Sequence, residues 1–164
     1  HYALISDSEY NLPFLNEAFR PEEMFPIADL PLAHVDPDDL SLATHYVEVT
    51  HTIDPAPLTD AFQGSVWVLT SEYVYSASES FVSFCKETGF ATLVGTTTGG
   101  DGIGIDPAIL VMPNSKLLLR YSMLLGLNND GTVNEETGTV PDYLTDTVTE
   151  ALPKVLKLIT EEKK

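Results

Sequence analysis

The apolar positions of this chain change period twice between Gly64 and Thr96. Val66-Trp67-Val68-Leu69-Thr70 is a short, nearly continuous apolar run, which predicts a strand buried on both faces. Residues 78–88 carry the spacing of an amphipathic helix, and Ala91-Thr92-Leu93-Val94-Gly95 starts a second strand over 91–96. Strand, helix and strand at these lengths form a βαβ unit, whose chirality and buried first strand favour a parallel pair. Ala108-Ile109-Leu110-Val111-Met112, the Asn114-Ser115 turn and Lys116-Leu117-Leu118-Leu119-Arg120-Tyr121 then read as a hairpin. A closing helix is expected with Val148, Leu152, Val155, Leu156 and Ile159 on one face, kinked or restarted at Pro153.

Residues 1–56 lack this regularity. Pro13, Pro21, Pro26, Pro31 and Pro37 break any long helix, and Asp36-Pro37-Asp38-Asp39 reads as a turn. A short helix around Asn16-Glu17-Ala18-Phe19 and a strand over Tyr46-Val47-Glu48-Val49-Thr50 are the elements expected there. The simplest organisation is an irregular acidic covering segment, 1–56, followed by one α/β region, 57–164.

With 164 residues and 43% apolar content, the chain is long enough to bury a sizeable core. Its 8 basic and 25 acidic residues give a formal charge of −17, which repels phosphate backbones and argues against nucleic acid as a partner. There is no apolar run of membrane length, so direct membrane insertion of this segment is not expected; the acidity suits an exported or envelope-associated bacterial protein. The single cysteine, Cys85, excludes an internal disulfide and lies beside Phe81 and Phe84, as a packed thiol would. His1 is not a natural start, so the chain is expected to be a piece of something longer.

Candidate chemistry concentrates at Tyr75-Ser76-Ala77-Ser78-Glu79, between the apolar strand and the helix. A serine on such a turn has its hydroxyl at the positive end of the helix dipole, and the following backbone N–H groups are free to hold an oxyanion. The same letters, Ser76-x-x-Glu79, spell a capping box that does no chemistry. Gly99, Gly100, Gly102 and Gly104 make a loop whose backbone can approach a partner closely, with Asp101 and Asp106 as anchors or as plain parts of a tight connection. No lysine follows these glycines in the manner of a phosphate loop, and no cofactor is expected. His45 and His51 share a strand face, yet no cysteine or third histidine joins them as a metal ligand. Asn128-Asn129-Asp130-Gly131 lacks the later ligands of a calcium loop and reads as a turn.

The order of these parts resembles the C-terminal processing peptidases, or tail-specific proteases, a serine peptidase family that includes the tricorn core protease. The resemblance rests on Ser76-Ala77-Ser78-Glu79, on Ala91-Thr92-Leu93-Val94-Gly95, on the glycine loop from Gly99, and on Gly138-Thr139-Val140-Pro141-Asp142, and covers about half the chain. It implies a partial domain with the spiral αβ core of the Clp protease and crotonase type. It further implies Ser76 as the nucleophile of an acyl-enzyme, with Ser78 as second choice, Ala77 N–H as one oxyanion donor, and peptide paired with backbone near Gly99, Gly100 and Asp101. The substrate would be a peptide or protein.

Two departures qualify that picture. The bacterial tail-specific members use a lysine base in the glycine loop, where this chain has Asp101, and a carboxylate is no substitute for a neutral amine. The tricorn-like branch pairs its serine with an upstream histidine and supports the site with a glutamate matching Glu135, with Glu136 adjacent. None of His1, His34, His45 and His51 stands at a motif the family uses for its base, and the glycine-rich segment that supplies the second oxyanion N–H is absent. The base is therefore expected from a segment upstream of this chain, and the piece by itself is expected to be inactive. The competing reading is a non-catalytic peptide- or ligand-binding module on the same scaffold.

Overall fold

The computed structural model describes residues 1–50, 52, 62–104 and 107–162, so His51 and Asp106 lie outside the described residues. The chain forms two compact units, one of residues 1–50 and 103–134 and one of residues 51–102 and 135–164.

The first unit holds a four-stranded antiparallel sheet in the order β2 (Met24–Pro26), β3 (His45–Glu48), β1 (Tyr2–Ile5), β8 (Leu124–Leu127). Ala3, Ile5, Val47 and Leu124 pack on one core cluster, Leu4, Tyr46 and Leu127 on another, so both faces are covered. A stretch read as irregular thus supplies three of the four strands. Helix α1 (Leu12–Ala18) stands where a short helix was expected and buries Leu15. The Asp36-Pro37-Asp38-Asp39 turn is instead a helix start: Asp36 Oδ1 accepts from Asp38 N–H at 2.8 Å, and Pro37 opens α2 (Pro37–Leu42), where its fixed φ and missing N–H cost nothing. The expected hairpin is present as β6 (Ala108–Val111) and β7 (Leu118–Tyr121), an antiparallel pair of its own.

The second unit is built on β4 (Trp67–Thr70), α3 (Ala77–Thr88) and β5 (Thr92–Gly95), with β4 and β5 parallel as expected, Val68 opposite Leu93 and Leu69 opposite Val94. A third parallel strand, β9 (Tyr143–Leu144), joins the far edge of β5. Adjacent β5 residues face opposite ways, as the pleat requires. Leu93 packs with Val82 and Cys85 of α3, while Val94 packs with Ala151 and Val155 of α5 (Ala151–Glu162). Each such buried aliphatic side chain contributes about 1.5–3 kcal/mol of transfer free energy. Cys85 is fully buried, and burial pushes its thiol pKa up, as suits a packing residue.

The closing helix buries a different face from the one read off the sequence. Ala151, Val155, Leu158 and Ile159 face the sheet, whereas Leu152 and Leu156 are 53% and 57% exposed. Residues Val148–Glu150 form a 3₁₀ turn, and Pro153 sits in the first turn of α5. The tighter turn resets the helical phase, which removes Val148 from the stripe it would share with Leu152 and Leu156 in a continuous α-helix.

Candidate active site

Beyond β4 the chain turns at Ser71–Val74, closed by Val74 N–H donating to Ser71 O at 2.9 Å. It then makes a single parallel bridge between Tyr75 and Gly100, and Ser76 N–H donates to Gly100 O at 3.0 Å. Ser76 follows at φ 58° and ψ −125° and serves as N-cap of α3, its carbonyl accepting from Ser80 N–H at 3.0 Å. A non-glycine residue in that region costs roughly 1–3 kcal/mol and persists only where its surroundings impose it.

This geometry does not form the capping box that Ser76-x-x-Glu79 spells. An N-cap serine normally has β-region angles and bonds an N–H of the first turn; Ser76 has neither, and its Oγ makes no hydrogen bond among the described residues. Glu79 does not return to the cap. Its side chain is fully buried, and Oε1 accepts from Thr139 Oγ1 at 2.6 Å. Ser76, Ala77 and Ser78 are exposed. Ala77 N–H opens the helix with no acceptor among the described residues, while Ser78 N–H donates to Tyr75 O at 3.3 Å. An N–H without an acceptor among the described residues thus stands at the positive end of α3, beside an accessible hydroxyl.

The glycine loop lies against this elbow. Gly99 N–H donates to Val74 O at 2.8 Å, Gly100 O receives Ser76 N–H, and Ser80 Oγ donates to Gly102 O at 2.7 Å. Asp101, half-buried at φ 60°, follows directly on Gly100. The structure therefore brings together Ser76, Ala77, Gly99, Gly100 and, through the chain, Asp101. Glu135 and Glu136 are exposed in the first turn of the short helix α4 (Asn134–Thr137), and Glu135 makes no hydrogen bond among the described residues. The described part of this unit contains no histidine, and each of its three lysines is engaged elsewhere: Lys86 with Asp142, Lys154 over the Tyr143 ring, Lys157 beside Glu161. No group of three or more metal-ligating side chains occurs among the described residues.

Sequence reasoning passed over a connection beneath the serine. Thr98, buried at the entrance to the glycine loop, exchanges bonds with Thr139: Thr98 N–H donates to Thr139 O at 3.2 Å, and Thr139 N–H to Thr98 Oγ1 at 2.6 Å. Glu79 closes the link to α3, as already described. The only local signal was the glutamate itself, which read equally as a cap.

Asp142, the last residue of the Gly-x-x-Pro-Asp stretch, has a structural role. Its Oδ2 accepts from Leu93 N–H at 2.8 Å and its Oδ1 pairs with Lys86 Nζ at 2.6 Å, tying β5 and the end of α3 together. Burial alone would raise its pKa, but the Leu93 N–H, the Lys86 hydrogen bond and the lysine charge together outweigh it and hold the carboxyl below its ordinary value. A carboxyl depressed by folding stabilises the fold above its unfolded pKa of about 4, and that contribution is lost as the pH falls through the lower folded value. Asp142→Ala leaves the buried Leu93 amide without its acceptor and is expected to cost about 1–3 kcal/mol at pH 7. Urea titrations should show the two proteins converging in stability below about pH 4; a constant difference down to pH 2 would mean that the carboxylate charge is irrelevant.

Two structures of mature CPAF, one of them complexed with lactacystin, share this fold at a TM-score of 0.53 and 22% sequence identity. They align with 76% of this chain, which spans only 26% and 25% of their own lengths. No curated protein matches the chain. A family description matches residues 23–145, a stretch that takes in the strained serine, the glycine loop and the Gly-x-x-Pro-Asp end: the chain belongs to peptidase family S41.

Proposed function

We propose that the protein carrying this chain is a serine endopeptidase of the C-terminal processing type, with Ser76 as its nucleophile. The observation that carries this reading is the exposed, uncapped Ser76 held at a costly backbone conformation beside the free Ala77 N–H. Strain of that kind has a use where a side chain must be aimed at a substrate. In the proposed reaction a base takes the Ser76 proton as Oγ attacks the scissile carbonyl, and the oxyanion forms against Ala77 N–H. Collapse expels the amine, and water then releases the acyl group. Following the family resemblance, the base is assigned to a segment outside this chain, and residues 57–164 to the C-terminal part of the catalytic domain. Extended substrate would pair with backbone near Gly99 and Gly100. The strands and helices of the second unit suit the spiral αβ core expected for such a domain.

Labelling of the full-length protein by a fluorophosphonate, followed by mapping of the modified residue, tests this assignment. A second reading, a non-catalytic peptide- or ligand-binding module, draws on Asp101 standing where tail-specific members have lysine; complete inertness to the probe would favour it.

Asp101 and Glu135 are given different duties. Glu135→Gln should lower kcat about tenfold with little change in KM, as expected for a group that supports the transition state. Asp101→Asn should leave kcat on neutral peptides nearly unchanged and improve use of peptides with an acidic residue facing the loop by about fivefold. Loss of turnover in Asp101→Asn, with Glu135→Gln unaffected, would reverse the two roles.

A further inference from the structure

We propose that Glu79 is a positioning residue for Ser76, acting through Thr139 and Thr98 rather than on the substrate. This rests on the reading of Ser76 as nucleophile and adds the means by which its strained conformation is held.

An elbow at φ 58° and ψ −125° relaxes unless both of its ends are fixed. One end is Ser76 itself, whose N–H is bound to Gly100 O. The other is the first turn of α3, where Ser80 N–H returns to Ser76 O and Ser80 Oγ holds Gly102 O. Both ends therefore lean on the segment Thr98–Gly102, and the elbow is only as rigid as that loop. Glycines do not hold a loop rigid by themselves. What fixes its entrance is Thr98, locked to Thr139 by Thr98 N–H to Thr139 O and by Thr139 N–H to Thr98 Oγ1. Glu79 closes the circuit by accepting Thr139 Oγ1 at 2.6 Å.

The carboxylate is three residues from the nucleophile, fully buried, and reaches a partner 60 residues away in sequence. A side-chain hydrogen bond of this length, held away from water, joins the first turn of α3 to the segment at Thr139 that clamps the loop. A surface role for Glu79 is excluded by its burial, and a capping role by its geometry.

The test uses the full-length protein and the rate of fluorophosphonate labelling, with kcat and KM on a peptide substrate. Thr139→Val keeps the shape and removes the hydroxyl, and should slow labelling by about tenfold to a hundredfold through misaligned attack, lowering kcat with KM within about twofold. Glu79→Ala should do the same where it folds. Glu79→Gln and Thr139→Ser preserve an acceptor and a donor, and should label within about threefold of the parent. Val82→Ala, a core truncation in the same helix, should lower Tm without slowing labelling at temperatures where it is folded. Thr139→Val labelling at the parent rate while Ser76→Ala does not label overturns the positioning role alone. A Val82→Ala loss matching that of Thr139→Val also overturns it, since the effect would then follow stability. Labelling that survives Ser76→Ala overturns the nucleophile assignment beneath it.

Discussion

Ser76→Ala in the full-length protein is expected to abolish labelling by a serine-reactive fluorophosphonate and to lower peptide hydrolysis by at least about three orders of magnitude, whereas Ser78→Ala keeps both within a few-fold. The two serines differ in backbone more than in exposure. Ser76 stands before the helix, its Oγ makes no hydrogen bond among the described residues, and the next N–H in the chain, that of Ala77, lacks an acceptor. An oxygen attacking from Ser76 therefore leaves the developing oxyanion near a donor that needs no rearrangement. Ser78 is the second residue of α3, with ordinary helical neighbours and its N–H already given to Tyr75 O. Its hydroxyl has no comparable donor prepared beside it. Unchanged labelling in Ser76→Ala, with loss in Ser78→Ala, would move the chemistry two residues along and leave the strain at Ser76 without a purpose.

Much of the second unit could be read from the chain because its signals are local. The apolar run of β4, the periodicity of α3 and the short apolar stretch of β5 each declare themselves within a dozen residues, and a right-handed crossover leaves one arrangement for them. In the first unit β1 and β8 are four residues each and buried on both faces, so these two show no alternation to detect. Pairing decides them, and pairing joins Tyr2–Ile5 to Leu124–Leu127 across most of the chain.

The site divides in the same way. Ser76 was visible as a serine on a strand-to-helix turn, but Ser-x-x-Glu is also a cap, and letters cannot separate the two. What separates them is the backbone angle of Ser76 and the partner of Glu79, and both depend on Thr98 and Thr139 arriving from elsewhere. For Glu135 the family pattern named a residue, yet its side chain stands exposed in α4 without a hydrogen-bond partner among the described residues.

Gly138→Ala should be strongly damaging, lowering stability by about 3 kcal/mol or more and slowing labelling at Ser76 by over a hundredfold. Two separate costs coincide at this position. Gly138 has φ 60°, where an alanine pays about 1–2 kcal/mol, and a Cβ there would be driven into the Thr98 carbonyl oxygen. Backbone cannot step aside as a side chain can, so the pair Thr98–Thr139 must separate, and with it the clamp on the glycine loop. Gly89, at the C-terminal end of α3, isolates the first cost: its φ of 66° is nearly the same, but a Cβ built there meets nothing within 4 Å. Gly89→Ala should therefore lose only about 1 kcal/mol and label normally. Urea denaturation of the two variants and labelling of the folded protein make the comparison. If Gly138→Ala proves as mild as Gly89→Ala on both measures, the close contact of Gly138 with Thr98 does not hold in solution, and the circuit from Glu79 to the nucleophile loses its central link.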